Sequence, residues 1–167
     1  KENKKGAAKL WTMVARLREL HFSDSDRASY AYTRVVELDC TPEALDALAK
    51  LAIKRKAHQE AATWLKKRLA ASAEGPNRIQ TMLKLAKAQL KAQQKDRALS
   101  TLEEAFKEAP RNPEIRRLLI MQYRTGEQWE SLIETMSIAA EQIDEQNTIL
   151  SYVHEVLDIC KNKLERT

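Results

Sequence analysis

The stretch at residues 82–113, MLKLAKAQLKAQQKDRALSTLEEAFKEAPRNP, decides how the whole chain is interpreted. Apolar residues recur in it at helical spacing on both sides of a short polar turn, which predicts two consecutive helices. The positions that mark the two helices and the end of the unit are Leu85, Ala86, Leu90, Ala98, Leu102, Ala105 and Pro110. Alanine at positions 86 and 98 would let the helices approach closely, because a small side chain shortens the distance between two helix axes.

The order of these residues resembles the signature of the tetratricopeptide repeat (TPR) family, which runs large apolar, Leu-Gly, aromatic, then Ala, large apolar and Pro. Ala86 stands where that signature has glycine, and Gln89 stands where it has an aromatic residue. The resemblance implies an all-α fold, in which antiparallel helix pairs stack into a right-handed superhelix, a TPR-like α-solenoid.

Related patterns before and after this stretch predict one repeat domain over residues 1–167 and about nine helices. The repeats are expected at about 8–40, 41–75, 76–112 and 113–146, with a final helix at 147–165. Thr41-Pro42 and Asn112-Pro113 favour helix starts, since each places a capping side chain before a proline in the first turn. The apolar residues expected to define the first helix are Leu10, Trp11, Val14, Leu17 and Leu20.

The composition also favours an all-helical protein. The chain has 167 residues with three glycines and four prolines, and no stretch alternates apolar and polar residues as a strand would. No apolar run approaches the ~18 residues that a membrane span needs, so membrane insertion is not expected. The first residues, KENKKGAAK, are too polar for a signal peptide, and the missing initial Met is consistent with a fragment of a longer protein.

Residues that carry chemistry are few and scattered. His21, His58 and His154 lack metal-ligand spacing, Cys40 and Cys160 have no local partners, and no nucleotide-binding or nucleophile motif is present. The sequence therefore predicts a protein that is not an enzyme and that holds no cofactor or metal.

Charge is distributed unevenly along the chain. The net charge of +5 hides a basic segment, residues 50–97, with thirteen Lys or Arg against three acids, a net +10. Residues 126–160 hold eight acids and no Lys or Arg, a net −8. A basic segment of this kind indicates acidic partners, although a solvated charged face is the simpler interpretation.

In the family that the sequence resembles, the first helix of each pair lines the concave face where ligands bind. The residues that fall on these helices and are expected to contact a partner are Lys50, Lys54, Lys84, Lys87, Lys91, Arg117, Met121 and Arg124. Some members of the family clamp a peptide's terminal carboxylate with Asn and Lys at matching places. Those places hold Ala47, Lys50, Lys84 and Lys87, so the missing asparagines disfavour that clamp.

The resemblance implies a non-catalytic scaffold that binds a protein or peptide, and the charge pattern adds an acidic ligand in a basic groove. One alternative is a nucleic-acid-binding helical repeat protein, supported by the basic segment but weakened by the lack of aromatic residues along the groove. Another is a structural spacer within a larger assembly. Trp11, Trp64 and Trp129 are expected to face the core.

The final helix is apolar over a broad face. Ile149, Val153, Val156 and Cys160 form one stripe, and Leu150, Leu157 and Leu164 form a second beside it. A helix at the end of a repeat array needs a polar outer face to stay soluble without a partner. The pattern therefore predicts weak self-association through residues 147–165.

Overall fold

The computed structural model describes residues 2–22, 24–72 and 75–164, and within them all regular structure is helical. Nine α-helices run in these described ranges, as the sequence predicts, and a π-helical turn follows the last one at Cys160–Leu164. The helices are α1 (Glu2–His21), α2 (Ser25–Leu38), α3 (Pro42–Lys54), α4 (His58–Ala70), α5 (Pro76–Lys91), α6 (Lys95–Glu108), α7 (Pro113–Thr125), α8 (Trp129–Gln142) and α9 (Gln146–Ile159). Glu165, the predicted end of the last helix, lies outside the described residues.

Helices α3 and α7 each begin at a residue whose side chain caps the helix. The Thr41 hydroxyl accepts a hydrogen bond from the Ala44 backbone N–H at 3.4 Å before α3. Asn112 Oδ1 accepts from the backbone N–H groups of Glu114, at 3.0 Å, and Ile115, at 3.2 Å, before α7. Each cap satisfies backbone donors that have no partner within the helix, so the start of each helix is fixed locally.

The helices form two compact units, Lys1–Ala98 and Leu99–Thr167, whose boundary lies within α6. In the first unit each helix packs against the next from α1 to α5. Many of its core residues are alanines, which bring helix backbones close together. One cluster of buried residues in this unit contains Ala8, Ala15, Ala28, Ala31, Tyr32, Val35, Ala44, Leu48 and Leu51.

The second unit buries the apolar faces of α7 and α8, and α8 packs against both α7 and α9. The largest side chains that it buries completely, or nearly so, are Leu102, Ile115, Leu119, Leu132 and Met136. Ala86 and Ala98, the small residues that support the resemblance to the repeat signature, are both 0% exposed. Their burial agrees with positions where helices come close.

The large apolar residues that define α1 in the sequence are mostly not the ones that it buries. Leu10 is 66% exposed and Leu20 is 74% exposed, while Ala8 and Ala15 are the buried residues of α1. Trp11 is half-buried and packs against the core cluster. The physical reason is that the alanines permit a closer approach to α2 than the bulkier leucines would, so the large side chains lie on the outer face.

The last helix also leaves apolar area uncovered, in agreement with the sequence pattern. Leu150, Val153 and Leu157 are exposed, whereas Ile149 and Val156 are half-buried. The side chain of Leu164 lies outside the described residues.

Candidate functional site

The eight residues expected to contact a partner fall on α3, α5 and α7, the first helices of successive pairs. Five of them, on α3 and α5, belong to the first unit, and the three on α7 belong to the second. Each unit contains a pocket that gathers part of this set, and the two pockets are described separately.

The pocket of the first unit lies between α3, α4 and α5 and has a volume of about 390 Å³. Its residues combine a mostly apolar lining with three charged side chains. They are Ala47, Ala49, Ile53 and Leu65, with Asp46, Lys50 and Lys84. The structure thus brings Lys50 and Lys84, from neighbouring helix pairs, to one pocket, which we call the lysine pocket.

Ion pairs decide how much positive charge the lysine pocket presents. Asp46 Oδ2 lies 3.1 Å from Arg68 Nε, so the carboxylate in the pocket is already neutralised. Lys50 Nζ lies 3.0 Å from Glu19 Oε1, but the Lys50 side chain remains 76% exposed. An ion pair this exposed contributes only about 0–1 kcal/mol, so Lys50 can exchange partners readily. Lys84 is exposed and forms no ion pair within the described ranges, which leaves the pocket net positive.

The other three lysines of the predicted groove do not line this pocket. Lys54 and Lys91 are exposed at the ends of α3 and α5. Lys87 is half-buried and already has an interaction partner in the protein. Of the five lysines predicted to contact a partner, only Lys50 and Lys84 therefore line the pocket and its apolar floor.

The pocket of the second unit, which we call the arginine pocket, lies between α7 and α9 and has a volume of about 350 Å³. It contains all three predicted residues of α7, namely Arg117, Met121 and Arg124. The lining residues that the sequence analysis missed are Pro113, Arg116, Ile120 and Tyr152. The α7 members recur every three or four residues, so a helical projection from Arg117 would have found Arg116 and Ile120 at its edge. Tyr152 comes from α9 and has no sequence signal.

Within the arginine pocket, Arg124 is held by a paired interaction. Its Nε and Nη2 donate to the two carboxylate oxygens of Glu155 on α9, at 2.8 and 2.9 Å. Arg116 is only 9% exposed, and its Nη1 is buried without a hydrogen-bond partner in the described part of the chain. Arg117, the next residue along α7, is exposed and lines the same pocket. The pocket therefore combines one neutralised arginine with two arginines that face no acid.

The two pockets use the same helix positions. Counted from the proline that begins each helix, the residues at 46, 49, 50 and 53 of α3 correspond to those at 117, 120, 121 and 124 of α7. The repeat geometry therefore determines where a pocket forms, and the local side chains determine its charge.

A sequence comparison matches residues 52–119 to the tetratricopeptide repeat family. Among solved structures, YrrB, a TPR protein, superposes with a TM-score of 0.62 at 18% identity, over 98% of this chain and 91% of that chain. MamA from Desulfovibrio magneticus RS-1 gives a TM-score of 0.60 at 21% identity, over 94% and 97%. PilF from Pseudomonas aeruginosa gives 0.58 at 13% identity, over 95% and 79%.

The chain has a TPR-like helical-repeat fold. No curated protein matches it closely in sequence, and identities this low to solved structures establish the shared fold alone. The all-α TPR-like solenoid expected from the sequence is therefore the observed fold.

Two further observations bear on the site of this TPR-like protein. In the residues that the structure covers, no group of three or more His, Cys, Asp or Glu side chains could hold a metal ion. None of the described helices is long and apolar enough to cross a membrane.

Proposed function

We propose that this TPR-like protein is a non-catalytic scaffold that binds an acidic peptide segment of a partner protein along α3 and α5 of the first unit. The observation that carries the proposal is the lysine pocket, in which Lys50 and Lys84 from two adjacent helix pairs flank an apolar floor. A peptide with acidic and apolar side chains matches both features. The apolar side chain would cover Ile53, and a carboxylate would approach Lys84.

The exposed lysines of the lysine pocket contribute more to the selection of a partner than to the affinity for it. Exposed lysines contribute little energy each, but they raise the association rate and disfavour basic partners. Burial of apolar side chains against Ile53 and Leu65 would then supply most of the affinity. One of the similar structures, YrrB, is described as having an unusual peptide-binding site, which supports peptide binding as a use of this fold.

Nucleic-acid binding is less well supported as an alternative. Stacking on aromatic side chains contributes much of single-strand binding, and the lysine pocket contains no aromatic residue. The three tryptophans are half-buried, and Lys67 and Lys163 lie over the rings of Trp64 and Trp129. A spacer role is compatible with the fold but gives no reason for the pairing of Lys50 with Lys84 at one pocket.

The proposal is tested by reversing the charge of the lysine pocket in the double variant Lys50→Glu, Lys84→Glu. The probe is an N-acetylated, C-amidated decapeptide of alternating glutamate and leucine, followed by fluorescence anisotropy. We expect the double variant to bind about tenfold more weakly than wild type. Wild-type binding should also weaken between about 0.05 and 0.5 M salt, because exposed charges are screened.

The matched control is Lys66→Glu, Lys95→Glu, which makes the same charge change at exposed positions of α4 and α6. Equal losses in both double variants would show non-specific attraction and contradict a site at the lysine pocket. Tighter binding of a single-stranded RNA than of the peptide would favour the nucleic-acid alternative instead.

Weak self-association through residues 147–165 is a second part of the proposal. The exposed stripe Leu150, Val153 and Leu157 supports it, because an apolar face of this kind is covered most simply by another molecule. The acidic segment 126–160, at net −8, is complementary to the basic segment 50–97, at net +10, of a second copy. We expect the sedimentation coefficient to rise with protein concentration. Leu150→Glu, Leu157→Glu should abolish that rise, and a coefficient independent of concentration in wild type would contradict the interface.

A further inference from the structure

The buried guanidinium of Arg116 is the least satisfied polar group that the structure describes in the second unit. Arg116 is only 9% exposed, and its Nη1 has no hydrogen-bond partner within the described ranges. Burying a charged group is costly unless an opposite charge or hydrogen bonds compensate it. Natural proteins pair such groups in nearly every case, and the exceptions often mark a place that a ligand completes.

The surroundings of Arg116 identify the kind of ligand that would complete it. Glu155 is the only acid paired with an arginine of this pocket in the described part of the chain, and both of its oxygens are taken by Arg124. Arg116 and Arg117, consecutive residues of α7 that both line this pocket, therefore present two positive charges without a partner acid among the described residues. Guanidinium groups donate in a planar fork that fits two oxygens of one oxyanion.

The rest of the arginine pocket is apolar. Ile120 is buried, Met121 is 38% exposed, and Tyr152 of α9 is half-buried opposite them. Methionine adapts its side chain to ligands of different shape, so this wall can receive an aliphatic neighbour of the anionic group. The Arg124–Glu155 pair joins α7 to α9 beside this apolar wall.

We propose that the arginine pocket binds an oxyanion on a peptide side chain, with Arg116 and Arg117 donating to its oxygens and Met121 and Tyr152 contacting the adjacent apolar residue. The inference rests on the proposed function and adds a separate binding site, with its ligand chemistry, that lies within the second unit. A glutamate or aspartate carboxylate and the phosphate of a phosphorylated residue share this chemistry.

The test compares Arg116→Met with wild type, because methionine fills similar space without a charge. The probe is a capped, amidated hexapeptide with one central glutamate between two leucines, measured by calorimetry and by NMR shifts of α7 amides. We expect roughly ten- to hundredfold weaker binding by Arg116→Met, the usual loss when a hydrogen-bonded charge is removed. The affinity of Arg116→Lys should lie between those of wild type and Arg116→Met, since lysine keeps the charge but lacks the planar pair of donors.

A stability measurement separates a binding role from a structural one. Removal of an unpaired buried charge should leave the midpoint of urea unfolding unchanged or higher in Arg116→Met. The matched control is Arg111→Met, the same substitution at an exposed position of the same unit. It should change neither the peptide affinity nor the midpoint of urea unfolding. Lower stability of Arg116→Met with unchanged binding would overturn the proposal.

Companion peptides identify the source of the oxyanion. Replacing the central glutamate by glutamine should abolish binding, and replacing it by phosphoserine shows which of the two anions is preferred. Equal binding of the glutamine peptide would overturn the inference, as would binding that depends only on a free C-terminal carboxylate. If the lysine-pocket double variant loses the acidic decapeptide while Arg116→Met binds both peptides as wild type does, the inference fails and the scaffold proposal stands. If wild type binds neither peptide, both fail.

Discussion

Replacing Leu48 by alanine is expected to lower the free energy of unfolding by about 2–5 kcal/mol, the usual cost of removing a buried leucine side chain. Leu48 is 0% exposed and belongs to the core cluster formed by α1, α2 and α3. Val35 and Leu51 are members of the same cluster, so truncation leaves a cavity between helices that are already closely packed through alanines. Urea unfolding followed by circular dichroism measures the effect.

The matched control for this prediction is Leu10→Ala, the same substitution in the same unit at a residue that is 66% exposed. We expect it to change the free energy of unfolding by less than about 0.5 kcal/mol. The comparison tests the orientation of α1 directly. A loss at Leu10 as large as that at Leu48 would mean that the apolar side of α1 is buried, as the sequence pattern alone suggested.

Replacing Tyr123 by phenylalanine is expected to lower the free energy of unfolding by about 1.5–3 kcal/mol near neutral pH. The Tyr123 hydroxyl donates to Glu103 Oε1 at 2.7 Å, and Tyr123 is buried. The variant therefore loses a hydrogen bond to a charged acceptor and leaves the half-buried Glu103 carboxylate without that donor. Tyr30→Phe, at a residue that is 62% exposed, removes a hydroxyl from the surface and should have little effect at neutral pH.

The same contact gives the stability a predictable dependence on pH. Burial, followed by the hydrogen bond and the negative charge of Glu103, raises the pKa of Tyr123 above the ordinary tyrosine value of 10.0. Above about pH 10 the unfolded chain loses the Tyr123 proton while the folded chain keeps it, so the stability that Tyr123 contributes is lost as pH rises. The gap in unfolding free energy between wild type and Tyr123→Phe should therefore narrow from about pH 8 to about pH 11. A constant gap would contradict the raised pKa.

The two pockets proposed as binding sites lie at equivalent helix positions and differ in chemistry. The lysine pocket has exposed ammonium groups and an apolar floor. The arginine pocket has a buried guanidinium and the wider wall of Met121 and Tyr152. The flexible ammonium group of lysine can attract acidic segments in many orientations. A guanidinium fixed by burial donates in one plane and therefore fits a single oxyanion. The difference predicts that the two pockets prefer different anionic ligands.

Local sequence signals determined the helices. Thr41 and Asn112 cap α3 and α7 where the sequence places them, because a capping side chain acts on backbone groups only a few residues away. The small residues Ala86 and Ala98, which carry the resemblance to the TPR family, are buried as that resemblance requires. The sequence by itself also placed Arg117, Met121 and Arg124 on one face of α7, because helical spacing alone fixes which residues share a face.

Only the tertiary structure decided which face is buried and which charges are free. In α1 the leucines share a face, but that face lies outward because close packing through Ala8 and Ala15 brings the opposite side against the core. Lys50 with Glu19, and Arg124 with Glu155, pair residues far apart in sequence, so no local pattern reveals which basic groups are neutralised. For the same reason the unpaired Arg116 was invisible: whether a buried charge has a partner depends on which helices fold against it.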